Sequence, residues 1–69
     1  MKILRSKIKR IIYSNGGLPG LDKSEYIKEM TAIINSELTN EDQVKLHQNQ
    51  INLENLIIEL SQELAEEYL

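Results

Sequence analysis

The side chains able to do chemistry in this 69-residue sequence are few and scattered. There is no cysteine, which removes thiolate nucleophiles, disulfides and thiolate metal sites together. Ser6, Ser14, Ser24, Ser36 and Ser61 have no evident base beside them. His47 is the sole histidine, so no multi-histidine metal site exists. On a helix it lies near Gln43, Gln50 and Asn55, or beside Glu54 on an adjacent turn, and it reads as a surface or interface residue. Glu59 and Glu63 stand one helical turn apart and have the spacing to share a cation. The simpler reading is a solvated face. An enzyme also needs a pocket of a few hundred Å³, which a small bundle rarely encloses. The expectation is a non-enzymatic protein with no catalytic residue, no metal and no cofactor.

The stretch "NGGLPGLDK", Asn15 to Lys23, holds glycines ahead of a helix start, the ingredients of an anion site. It matches neither G-x-x-x-x-G-K-[ST] nor G-x-G-x-x-G, and no strand precedes it. It reads as a connecting loop that reverses the chain.

Charge carries more information. Residues 1–14 hold Lys2, Arg5, Lys7, Lys9 and Arg10 and no acid. Residues 15–69 hold Lys23, Lys28 and Lys45 against all 11 acids, a balance of −8 within a net charge of −3. Five cations on about three helical turns have the means to grip phosphates, which makes these five the candidate nucleic-acid contacts. The acidic body opposes long-range steering toward DNA, and the glycine loop is too long for a helix-turn-helix. The same helix lacks the Trp and Phe anchors of a membrane-surface helix. The alternative is that its charges complement an acidic helix at the other end of the chain.

The apolar spacing implies the elements that position these groups. Met1, Leu4, Ile8, Ile11 and Ile12 form one stripe of a helix over about 2–14, flanked by the basic residues and stopped by the Gly/Pro loop 15–21. A second helix, about 22–38, begins at a capping box formed by Asp22 and Glu25, with Leu21 and Tyr26 placed as a hydrophobic staple and Ser24 as the competing cap. Its stripe is Tyr26, Ile27, Met30, Ile33, Ile34 and Leu38. A third helix, about 40–69, starts at "TNED", with Thr39 or Asn40 as cap and Glu41 and Asp42 at the positive helix end. No glycine or proline follows. The polar stretch "HQNQIN" divides it if anything does, and one long helix is the favoured reading. No segment alternates over strand length.

On that last helix Leu46, Leu53, Leu56, Ile57, Leu60, Leu64 and Tyr68 share one face. Val44, Ile51, Ile58, Ala65 and Leu69 form a second apolar row, four of them at seven-residue spacing. An ordinary surface helix needs one apolar stripe. The first stripe is covered by the other two helices, and the second is left for a partner, which makes these five the candidate protein interface. Glu59, Glu63, Glu66 and Glu67 form a candidate acidic partner surface. Three of them crowd the negative end of the helix dipole, where a positive group is needed nearby.

The run "SQEL", Ser61 to Leu64, resembles the start of the S-Q-E-L-D signature of small two-helix sporulation phosphatases. Ala65 stands where that signature has its aspartate, and Glu66 and Glu67 follow where it has apolar residues, so no function is carried over.

The expected protein is all-α, a single domain over 1–69 in a three-helix arrangement with a long C-terminal helix. A chain of this length buries only roughly 60% of the surface its unfolded form exposes. Without disulfides or metal, self-association is the remedy left, so a dimeric helical bundle is expected. The opening segment lacks the apolar core of a signal peptide, no run approaches a membrane span, and a cytoplasmic location is expected. The function implied is a regulator or inhibitor acting by protein–protein binding, with a dimeric nucleic-acid-binding regulator as the alternative. Composition points weakly to a bacterial or phage genome.

Overall fold

The computed structural model describes residues 2–16 and 23–67. Among them are four α-helices and no strand: α1 (Lys2–Ser14), α2 (Lys23–Glu37), α3 (Asn40–Gln48) and α4 (Leu53–Glu67). The all-helical class is therefore present. The long C-terminal helix is not: the stretch expected to be continuous over 40–69 is broken into α3 and α4, and the three-helix arrangement becomes one of four.

The break has a local cause. Gln50 takes φ 54°, the left-handed conformation that commonly ends a helix and usually falls to glycine. Its N–H donates to His47 O at 3.1 Å, while the Ile51 N–H reaches back to Leu46 O at 3.0 Å. These two bonds close a Schellman motif. Ile51 then packs against the core cluster that includes Leu46, the apolar contact that accompanies this motif. Asn52 opens the next helix: its Oδ1 accepts the Asn55 N–H at 3.1 Å, an N-cap bond.

Elsewhere the ends follow their residue types. Beyond α1, the Asn15 side-chain amide donates to Ile11 O at 2.7 Å and Gly16 adopts φ +72°. Thr39 caps α3 in a full capping box with Asp42: each backbone N–H donates to the other's side chain at 3.1 Å. The cap expected at Asp22, with its staple partner Leu21, lies outside the described residues.

The core is aliphatic. α1 contributes Leu4, Ile8, Ile11 and Ile12, α2 contributes Met30 and Ile34, and Leu38 follows from the turn after it. α4 contributes Leu56, Ile57, Leu60 and Leu64. Ile8, Ile12, Ile34, Ile57 and Leu60 are wholly sequestered. α4 packs on both α1 and α2, and these two touch each other. α3 is held more lightly, with Leu46 its one buried residue. The Cα radius of gyration, 11.4 Å, is close to the roughly 11 Å of a close-packed chain of this length. Among the described residues, no helix is long and apolar enough to cross a membrane.

Candidate protein-binding surface

The basic residues of α1 and the acids of α4 meet in one seam. α1 turns its apolar stripe inward through Leu4, Ile8, Ile11 and Ile12, which leaves Arg5 and Lys9, one turn apart, along the edge facing α4. Arg5 Nη2 donates to Glu59 Oε1 at 2.9 Å and to Glu63 Oε2 at 2.8 Å. Lys9 Nζ lies 3.5 Å from Glu63 Oε1 and donates to Glu67. The charge-assisted bond to Glu59, then the field of Glu59 and Glu63, raises the Arg5 pKa above its ordinary value, against a smaller opposing effect of burial. Lys9 is raised in the same way, chiefly by its bond to Glu67.

On the other flank of α1, Lys7 Nζ donates to Asp42 Oδ2 at 2.6 Å and ties α1 to the first turn of α3. That bond, with the Thr39 N–H donating to the same carboxylate, holds Asp42 below the usual carboxylate range. Of the five N-terminal cations, Arg5, Lys7 and Lys9 are therefore engaged within the chain. Lys2 and Arg10 are exposed and have no ion-pair partner among the described residues. Of the four acids of the candidate partner surface, Glu59, Glu63 and Glu67 belong to the seam. Glu66 is exposed outside it.

The second apolar row is split by the joint. Val44 lies on α3 and is 52% exposed, Ile58 lies on α4 and is 39% exposed. Ile51, in the joint, is half-buried against the core. Ala65 is half-buried near the end of α4, and Leu69 lies outside the described residues. Val44 and Ile51 come together in one place. With Leu46, Leu53 and His47 they line an open groove of about 600 Å³ between α2, α3 and the start of α4, rimmed by Asn35, Gln43, Asn52 and Glu54. Thr31 lines it from α2, and its Oγ1 is buried without a hydrogen-bond partner among the described residues.

Sequence reasoning missed three contacts. Lys7 and Asp42 are 35 positions apart and nothing in the helical spacing links them. Tyr26, read as a staple partner of Leu21 and as part of an apolar stripe, joins its hydroxyl to Ser61 Oγ at 2.7 Å. Gln43 Nε2 donates to Asn35 Oδ1 at 3.3 Å and spans α3 and α2. Ser61 is buried, so the serine of the "SQEL" run serves packing between α2 and α4. His47 is exposed at the groove, and among the described residues no group of three or more acids and histidines gathers to hold a metal.

No family model matches the chain, and neither a curated protein nor a solved structure matches it significantly.

Proposed function

We propose that this protein is a small regulator or inhibitor without enzymatic activity, which acts by binding another protein through its helical surface and which also self-associates as a homodimer. The observation that carries the reading is the groove beside α3. Val44 and Ile51 line it together with Leu53, and Val44 stays half exposed, although an apolar side chain is favoured by burial at about 25 cal/mol per Å². Grooves of this kind receive the apolar face of a partner helix at positions such as i, i+3 and i+7.

The charge seam supports a protein partner over a nucleic acid. Arg5, Lys7 and Lys9 already satisfy carboxylates of their own chain, and a phosphate contact would have to displace those bonds. Of the five N-terminal cations, only Lys2 and Arg10 remain outside ion pairs among the described residues. Two phosphate contacts carry a salt dependence of only about 1.8 in log K per log salt on duplex DNA.

The test compares immobilised wild type, Val44→Glu and Lys2→Glu/Arg10→Glu as baits for cell extract. Protein captured by wild type and by the α1 variant, and lost with Val44→Glu, is the expected result. Capture of nuclease-sensitive material that vanishes with Lys2→Glu/Arg10→Glu would overturn it in favour of nucleic-acid binding.

A further inference from the structure

The joint between α3 and α4 is a bend in a sequence with no helix breaker. From Thr39 to Leu69 there is neither glycine nor proline, and between Asn40 and Glu67 only residues 49–52 leave the helical state. The bend depends on Gln50 at φ 54°, a conformation in which glycine is at home and a side chain is not. Both flanking segments are already helical, so four residues separate the bent form from a continuous helix over 40–67.

A continuous helix would not fit on its own body. Its 28 residues would span about 42 Å at 1.5 Å per residue, whereas the long axis of the molecule is 32 Å. Straightening therefore takes either α3 or α4 off the body, and where α4 leaves, it uncovers the surface on which it was packed. The α1–α2 face that it leaves is specific for α4: an aliphatic surface of Ile8, Ile12 and Ile34, the Arg5 and Lys9 cations, and the Tyr26 hydroxyl that meets Ser61. The segment with all the matching groups in the right order is α4 of a second copy.

We propose that the protein self-associates by exchanging α4: α3 and α4 merge into one helix, and each α4 docks on the α1–α2 face of its partner. This rests on the self-associating reading above and specifies how the copies engage. Exchange recreates the contacts of α4 with α1 and α2, and its ion pairs, between chains, so the bend and the groove beside it are the main differences between the two forms, the condition under which hinge segments swap. It also realigns Val44, Ile51, Ile58 and Ala65, which the bend divides between two helices and the joint, as one row at seven-residue spacing on a single helix. In the dimer that row is where the two long helices meet, so the groove beside α3 is open to another protein only in the bent chain.

The experiment uses hinge variants and an intrachain ruler. Gln50→Gly favours the bend, because glycine accepts the left-handed conformation. Gln50→Ala favours the straight helix. The dimer dissociation constant, from light scattering over a concentration series, should be at least tenfold weaker for Gln50→Gly than for Gln50→Ala. Spin labels on Cys placed at Glu41 and Gln62, with labelled chain diluted into excess unlabelled chain, report the distance within one chain. The dimer should read about 32 Å, 21 residues of helix, and the monomer a shorter distance. A dimer with the monomer's intrachain distance overturns the exchange and leaves self-association standing. A Gln50→Ala chain that stays monomeric at every concentration overturns both.

Discussion

Arg5 and Glu63, 58 positions apart in the chain, are 2.8 Å apart in the fold. The guanidinium also holds Glu59, so one cation from the first turns of the protein neutralises two consecutive turns of its last helix. The crowding of carboxylates near the C-terminal end of α4 thus has its counter-charge within the same chain.

Removing that cation should destabilise the fold modestly and make it less sensitive to salt. The Arg5 side chain is about one-third exposed, and exposed pairs contribute a few tenths to about 1 kcal/mol. A double-mutant cycle of Arg5→Ala with Glu63→Ala should give a coupling in that range, shrinking at high ionic strength. The exchange Arg5→Glu with Glu63→Arg should recover part of what Arg5→Glu loses. Thermal unfolding read by circular dichroism measures each step.

Acid should loosen α3 ahead of the rest. Asp42 is held below the usual carboxylate range by Lys7 and by the Thr39 N–H. Its contribution is therefore present above the ordinary value near pH 4 and is lost as pH falls through the lowered one. Asp42→Asn should lower stability at neutral pH and flatten part of the loss below about pH 4. Urea midpoints measured from pH 2 to pH 7 show whether it does.

The two residues that bound the joint should respond in opposite directions. Gln50→Gly should stabilise the bent chain by about 1 kcal/mol, because it removes a left-handed side-chain penalty. Asn52→Ala should cost about 0.5–2 kcal/mol through loss of the α4 cap. Urea unfolding at a concentration where the chain is monomeric separates these effects from association.

Filling space counts for most in so small a core. Ile57 is wholly sequestered, and Ile57→Ala should cost about 2–5 kcal/mol. That is a large share of the 5–15 kcal/mol typical of a domain. A variant that retains a cooperative melt within 5 °C of wild type would contradict the packing described, since about 1 kcal/mol alone moves a domain of this size by about 4–8 °C.

Thr31 offers the reverse case. Its buried Oγ1 has no hydrogen-bond partner among the described residues, and an unsatisfied hydroxyl costs about 1–3 kcal/mol. Thr31→Val keeps the shape and removes that group, so it should raise the melting temperature.

The sequence made the helical class, the start of α3 and the inward stripe legible. Leu46, Leu56, Ile57, Leu60 and Leu64 were placed together by their spacing, and all are buried. The sequence offers Thr39 or Asn40 as the cap ahead of Glu41 and Asp42, and the structure takes Thr39. The joint at 49–52 falls within "HQNQIN", the stretch that divides the helix if anything does, but one long helix is the favoured reading because the C-terminal signal is a glutamine in a glycine's position. The acid–base match between the two ends was readable from charge segregation. Which lysine meets which acid was not, because that depends on how the helices are rotated in the assembled bundle.

The Tyr26–Ser61 bond has a consequence of another kind. A core made almost entirely of isoleucine and leucine is greasy on every side, and α4 could slide by a turn against α2 while still covering apolar surface. Ser61 is 4% exposed, so a slide of one turn, about 5.4 Å, would strand its hydroxyl away from the tyrosine with no water to replace it. The bond adds little to how strongly the helices hold, and much to where they stop: it indexes α4, as a detent stops a sliding bolt at one position along its track.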